Sequence, residues 1–222
     1  MKKNVDVSVS TDPISDYQNI IEYAKKMQGI ADFLHCDIMS DNFVQKNTYD
    51  FNLVKNINRN SLIMLDVHLM VDEPSEDIIK YIQAGANIIT LHYEAFESKE
   101  NLVEALKFIQ EHNVLAGISF KPSTPFKEIR SFVFGCDLVL VMAVEPGKSG
   151  QTLLEETFDK VKEVDEFKRN NNLRFKIEVD GGVNDKNSKR LIDCGADILV
   201  SGSFVYESKN RKEAVAALKE HE

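Results

Sequence analysis

A glycine, a polar residue two or three positions later and then an apolar run occur together four times in this chain. The segments are Gly29-Ile-Ala-Asp32-Phe-Leu-His35, Gly85-Ala-Asn87-Ile-Ile-Thr-Leu91, Gly135-Cys-Asp137-Leu-Val-Leu-Val141 and Gly195-Ala-Asp197-Ile-Leu-Val-Ser201. Each reads as an amphipathic helix closed by a left-handed glycine, a short polar turn and a strand. The glycines lie 50 to 60 residues apart, twice the length of a strand–helix unit, so a further strand belongs midway between each pair. Apolar β-type runs stand there, at Ser61–Leu69, Val114–Ser119 and Arg174–Val179, and another, Val5–Ser10, precedes the first glycine. Between strands the period is helical: Tyr17, Ile20, Ile21, Ala24 and Met27 form one stripe, and Leu102, Leu106 and Ile109 another. Eight such units in 222 residues, with no linker and no low-complexity tract, predict an α/β chain forming one domain over residues 1–222. The expected architecture is a (β/α)8 TIM barrel, with an open doubly wound sheet as the other solution.

The charge balance narrows the partners. Lys+Arg of 27 against Asp+Glu of 36 leaves −9, which argues against nucleic acid and against an anionic membrane surface. No apolar run approaches a membrane span, and the N-terminus carries no signal-type segment, so a cytoplasmic protein is expected. Cys36, Cys136 and Cys194 have no CxxC spacing and read as structural thiols. The helical exterior of a barrel commonly makes homo-oligomers, and one is expected here.

Barrel chemistry sits at the C-terminal ends of the strands. Strand 2 ends His35-Cys36-Asp37, and the period of two puts His35 and Asp37 on one face. Strand 3 ends Asp66-Val67-His68-Leu69-Met70, and strand 7 ends Glu178-Val179-Asp180. If those faces line the mouth, His35, Asp37, His68 and Asp180 converge as a site for Zn²⁺, Fe²⁺, Mn²⁺ or Co²⁺. Asp66 and Glu178, one step deeper, would orient the ligands. Glycines cluster after the last three strands: Gly147 and Gly150 in Pro146-Gly-Lys148-Ser149-Gly-Gln151, then Gly181-Gly182, then Gly202-Ser203. Such turns bind a phosphate through backbone N–H groups, and in a chain of net −9 those dipoles, aided by Lys148, must supply the attraction.

The motifs His35-Cys-Asp37-Ile-Met39, Leu65-Asp-Val-His68-Leu-Met70, Val141-Met142-Ala-Val-Glu-Pro146-Gly147-Lys-Ser-Gly150-Gln151 and Glu178-Val-Asp180-Gly-Gly-Val183 resemble the ribulose-phosphate 3-epimerase family. The register holds from about residue 5 to 207. The resemblance implies a barrel that moves a proton at C3 of a ketose phosphate with the aid of a divalent metal. It places the metal ligands on His35, Asp37, His68 and Asp180, and the acid/base pair on Asp37 and Asp180. It further implies shielding methionines at Met39, Met70 and Met142, and phosphate contacts at Gly147–Gly150, Gly181, Gly182, Gly202 and Ser203.

Several positions depart from the family pattern: Val7 stands where strand 1 usually has Ser, Ser40-Asp41 where Asp-Gly is usual, and Ala143 where Ser or Thr is usual. The loop Asn42-Phe-Val-Gln-Lys46 lacks the common Pro-Asn, and Glu145 and Lys148 are unusual. Val7 is expected to remove a hydroxyl near the sugar. The expected reaction is D-ribulose 5-phosphate to D-xylulose 5-phosphate, with D-allulose 6-phosphate epimerisation as the alternative. A related decarboxylase would pair Lys with Asp on a strand, and strand 2 offers His35 instead. A silent sugar-phosphate-binding protein is the alternative of another class, which metal-dependent turnover would exclude.

Overall fold

The computed structural model describes residues 4–44, 48, 50–72, 74–147 and 150–220. Along the chain lie β1 (Asp6–Ser10), α1 (Tyr17–Met27), β2 (Phe33–Met39), α2 (Asp41–Val44), α3 (Phe51–Asn60), β3 (Met64–Met70), α4 (Ile78–Ala84) and β4 (Ile88–His92). There follow α5 (Lys99–Glu111), β5 (Leu115–Phe120), α6 (Phe126–Ile129), β6 (Leu138–Met142), α7 (Glu156–Asn170), β7 (Lys176–Asp180), α8 (Ser188–Cys194), β8 (Ile198–Ser201), α9 (Ser203–Tyr206) and α10 (Arg211–Lys219). Every strand pairs in parallel with the next, and β1 pairs with β8, so the sheet closes into an eight-stranded TIM barrel.

The stripes behave as their spacing requires. Asp16 caps α1 by accepting the Asn19 N–H, and Ile20, Ile21, Ala24 and Met27 are buried on its inner face. Ser98 caps α5 in the same way over buried Leu102, Leu106 and Ile109. Two cores result from strand alternation. Residues such as Val7, Val9, Leu34 and Val67 face the helices in one continuous shell. Inside the barrel, Ile88, Leu138, Leu140, Met142 and Ile198 pack against Phe33.

The fourfold repeat has a structural cause. Asp32, just before β2, accepts the Val7 N–H of β1 at 2.8 Å. Asn87, before β4, accepts from Leu65 of β3 at 2.7 Å. Asp137, before β6, accepts from Ala116 of β5 at 2.9 Å, and Asp197, before β8, accepts from Ile177 of β7 at 2.9 Å. In each case the backbone N–H of the same residue also donates to the carbonyl of the strand it clamps. The side chain thereby satisfies an N–H at the start of an odd strand that the barrel's stagger leaves without a ladder partner.

Three expectations are corrected. The third strand begins at Met64, not Ser61, because Ser61 ends α3 with its N–H on Ile57 and Leu62 points into solvent. Gly29, Gly85 and Gly195 have positive φ, but Gly135 does not; it closes a 3₁₀ turn, Val133–Gly135. Val7 faces the helical shell and removes nothing from the mouth, since Ser8 and Ser10 are the inward residues of β1. No helix among the described residues is long and apolar enough to cross a membrane.

Candidate functional site

The register sets β2 against β3 so that His35 lies beside Asp66, Asp37 beside His68 and Met39 beside Met70. All six point into or over the barrel and are buried. Beneath the mouth, Asp66 Oδ2 accepts from the Ser8 hydroxyl at 2.8 Å and lies 2.6 Å from His35 Nδ1. That contact consumes one imidazole nitrogen and leaves Nε2 directed upward. There, His35 Nε2 stands 3.3 Å and His68 Nδ1 3.4 Å from Asp37 Oδ1, without hydrogen-bond geometry. These three buried atoms have no hydrogen-bond partner, while the other Asp37 oxygen accepts from the Ser10 hydroxyl at 3.0 Å. Asp180 enters from β7, and ligand atoms of His35, Asp37, His68 and Asp180 all lie within 4.8 Å of one another.

Electrostatics marks the same place. Burial alone would lift Asp37, but the His35 and His68 imidazoles outweigh it and hold its carboxyl far below the usual range. Burial and then the Asp37 charge push Asp180 up to about 7. Burial lowers His68 to about 4, keeping it neutral. Burial also raises Glu178 well above the carboxylate range, helped by the charge on Asp66. His35, Asp66 and Glu178 form a second, deeper cluster, in which Ser8 and His35 both meet Asp66 Oδ2 while Asp66 Oδ1 and both Glu178 oxygens have no hydrogen bond. This deeper group underlies the upper one. A divalent cation fits the upper set: two imidazoles and two carboxylates suit Zn²⁺, Fe²⁺, Mn²⁺ or Co²⁺, and the unpartnered atoms would be satisfied as ligands. It would also relieve the repulsion that raises Asp180.

Above this cluster a cavity is walled by Met39, Met70 and Met142 and floored by Asp37 and Asp180. Its far side is the set of glycine turns after the last strands: Gly147, Gly150, Gly181, Gly182, Gly202 and Ser203. Lys148 and Ser149 lie outside the described residues, as do Gln45 and Lys46 of the variant loop. At Gly182 φ is +66°, and a Cβ would sit 2.5 Å from Leu153 N and 2.7 Å from Gln151 O. Only glycine lets the loops after β6 and β7 approach so closely. The side-chain amides of Asn184 and Asn187 hold the Gly182 carbonyl at 3.1 and 3.0 Å, fixing that peptide plane. Gly150 differs: its φ is +72°, but nothing would meet a Cβ. Among the described residues lining this cavity the charged ones are Asp12, Asp37, Glu145 and Asp180, all acidic. Among these described residues, backbone dipoles rather than side-chain cations face an anionic ligand.

Residues beyond those singled out from the sequence complete the site. Ser8 and Ser10 left no signal, because alternating serines are common in strands. His92 and Glu94 did leave one, the same His-x-acid spacing at a strand end as His35 and Asp37. His92 Nε2 lies 2.9 Å from His68 Nε2, and His92 Nδ1 lies 3.2 Å from Glu94 Oε2.

A profile described as the ribulose-phosphate 3 epimerase family matches residues 5–206. A ribulose-phosphate 3-epimerase of Chlamydia pneumoniae is 36% identical over 190 residues, covering 85% of this chain and 82% of that protein. One of Bacillus subtilis is 36% identical over 193 residues, with 86% and 88% covered. Among solved structures, a 3-keto-L-gulonate-6-phosphate decarboxylase from Vibrio cholerae superposes with a TM-score of 0.73 at 12% identity, covering 97% of this chain and 95% of that one. A 3-hexulose-6-phosphate synthase gives 0.68 at 17%, covering 97% and 98%. At such identities the structures share the fold.

Proposed function

This chain belongs to the ribulose-phosphate 3-epimerase family and is an isomerase, an epimerase; we propose that it inverts C3 of D-ribulose 5-phosphate to give D-xylulose 5-phosphate with Asp37 and Asp180 as the two proton carriers. One observation carries the reading: the two carboxylates stand at one mouth, three places apart around the strand ring, beside two imidazoles whose free nitrogens face them.

Inversion by proton transfer needs a base on one face of the carbon and an acid on the other. Asp37 takes the C3 proton of one epimer, an enediolate forms on the substrate, and Asp180 returns a proton from the other face; the reverse reaction exchanges the roles. The Ser10 hydroxyl on Asp37 Oδ2 holds that carboxylate in one orientation. His35, Asp37, His68 and Asp180 would hold a divalent ion, which supplies Lewis-acid stabilisation of charge developing on the substrate's C2 oxygen. Met39, Met70 and Met142, 6%, 1% and 2% exposed, form uncharged walls that keep water from the carbanion-like carbon. The turns at Gly147, Gly150, Gly181-Gly182 and Gly202-Ser203 receive the phosphate by backbone N–H groups, with Lys148 and Ser149 in the same loop adding to them.

The test is isotopic. With metal retained, Asp180→Asn should exchange the C3 proton of one epimer with deuterated water without forming the other epimer, and Asp37→Asn should show the opposite preference. Exchange of the same epimer by both variants would mean a single base. Turnover of a hexulose phosphate but not of ribulose 5-phosphate by the metal-loaded protein would replace the substrate.

A further inference from the structure

The two ligand histidines are oriented in different ways. His35 is held by a carboxylate directly, through Nδ1 on Asp66. His68 is turned over: Nδ1 faces Asp37, and Nε2 faces another imidazole, His92, at 2.9 Å, with the Ser119 hydroxyl at 3.3 Å. We propose that His92 and Glu94 form a relay that fixes the tautomer of His68, Glu94 being the terminal acceptor and both acting as positioning residues. This rests on the reading of His68 as a metal ligand.

Valence determines the proton positions. A neutral imidazole carries one N–H and one lone pair. If His68 offers the Nδ1 lone pair toward Asp37 and the ion, its proton is on Nε2, and His92 Nε2 must accept it. The His92 proton is then on Nδ1, 3.2 Å from Glu94 Oε2, where an ionised carboxylate can only accept. Glu94 Oε1 is occupied by the Lys121 N–H at 2.9 Å and by the Thr124 hydroxyl, so Oε2 is the oxygen left for His92. With the opposite tautomers, the His92 Nδ1 lone pair would face the Glu94 charge. Glu94 thereby selects the proton position two residues away along the hydrogen-bond chain.

Ring geometry agrees. The His68 and His92 rings are 23° apart with centroids 4.9 Å apart. Nitrogens at 2.9 Å are closer than stacked faces allow, so the rings meet edge to edge, as an N–H···N bond requires. Both imidazoles are fully buried, and Phe43 covers His92 with centroids 4.9 Å apart. Water cannot readily substitute for either partner.

The experiment uses the full chain loaded with Zn²⁺ and ¹⁵N-labelled at histidine. Long-range ¹H–¹⁵N correlation should show His92 protonated on Nδ1 and unprotonated on Nε2, and His68 protonated on Nε2. Reversed protonation of His92 overturns the relay, and this readout needs no variant to fold. Competition titration with Co²⁺ and Zn²⁺ should then show Glu94→Gln and His92→Phe binding roughly 10–100-fold more weakly than the unmodified protein. Unmodified protein that binds the ion, with both variants binding equally well, overturns the relay and leaves the metal reading intact. Unmodified protein that binds neither ion overturns both.

Discussion

The two rims of the barrel use polar side chains to opposite ends. At the N-terminal rim, Asp32, Asn87, Asp137 and Asp197 each accept a specific backbone N–H, and three have a second partner: Asp197 with Lys168 at 2.7 Å, Asp32 with Lys219 at 2.5 Å and Asp137 with the Gln110 amide at 2.9 Å. At the C-terminal mouth, His35 Nε2, Asp37 Oδ1 and His68 Nδ1 are buried with no hydrogen bond. A satisfied polar group adds stability, whereas a buried unsatisfied one costs stability unless a ligand completes it. The first rim therefore closes the sheet, and the second stores capacity for binding. What separates them is satisfaction rather than polarity, since both are rich in acids.

The widest separation should come from the ion and the carboxylates. Chelation should abolish epimerisation, and Zn²⁺, Co²⁺, Mn²⁺ or Fe²⁺ should restore it; full activity in metal-free protein would erase the distinction drawn for the mouth. Asp37→Asn and Asp180→Asn should each lower turnover by roughly 10²–10⁴-fold. Melting temperature at neutral pH should stay level or rise in Asp180→Asn, whose charge burial and Asp37 disfavour, and should fall in Asp37→Asn, whose charge His35 and His68 favour.

Glycine sharpens the picture within the mouth. Gly182→Val should raise KM by about tenfold or more, near 1.4 kcal/mol of lost binding, because its Cβ collides with backbone. Gly150→Ala meets no atom and carries only the left-handed cost of about 1–2 kcal/mol, read as stability rather than KM. Equal kinetic effects from the two would mean that crowding is irrelevant to phosphate binding.

Glu94 belongs to the mouth by position and to the other rim by satisfaction. Burial raises its carboxyl, but His92, Thr124 and the Lys121 N–H bring it down to about 2. A depressed folded value contributes stability present above the unfolded value near 4.5 and lost as pH falls toward 2. Glu94→Gln should thus remove about 3 kcal/mol at neutral pH and flatten the difference between pH 4.5 and 2, measured by denaturant titration. At the N-terminal rim the effects should be smaller and ranked by burial. Asp197→Ala, at a buried carboxylate, should cost roughly 1–3 kcal/mol, and Asn87→Ala, at an exposed amide, less than about 1 kcal/mol, both with unchanged kcat. A drop in kcat from either would break the division.

Periodicity made much of this legible. Strand and helix identity follow from apolar spacing, and the repeated Gly-to-Asp/Asn segments set eight units, because those signals are local and recur. The pairs His35/Asp37, Asp66/His68 and Glu178/Asp180 could be placed on common faces for the same reason: side chains alternate along any strand. Which face of β1 looked inward was not local. Val7 and Ser8 both fit a buried parallel strand, and only barrel closure, with Ser8 on Asp66 and Ser10 on Asp37, settles it. The difference between Gly182 and Gly150 was equally hidden, since both have positive φ and only the approach of a neighbouring loop crowds one of them. The sequence by itself determined the repeat, the alternation and the chemical types available at each strand end. Closure of the sheet decided which nitrogen of each histidine is consumed and which is left free, because that depends on contacts between strands far apart in the chain.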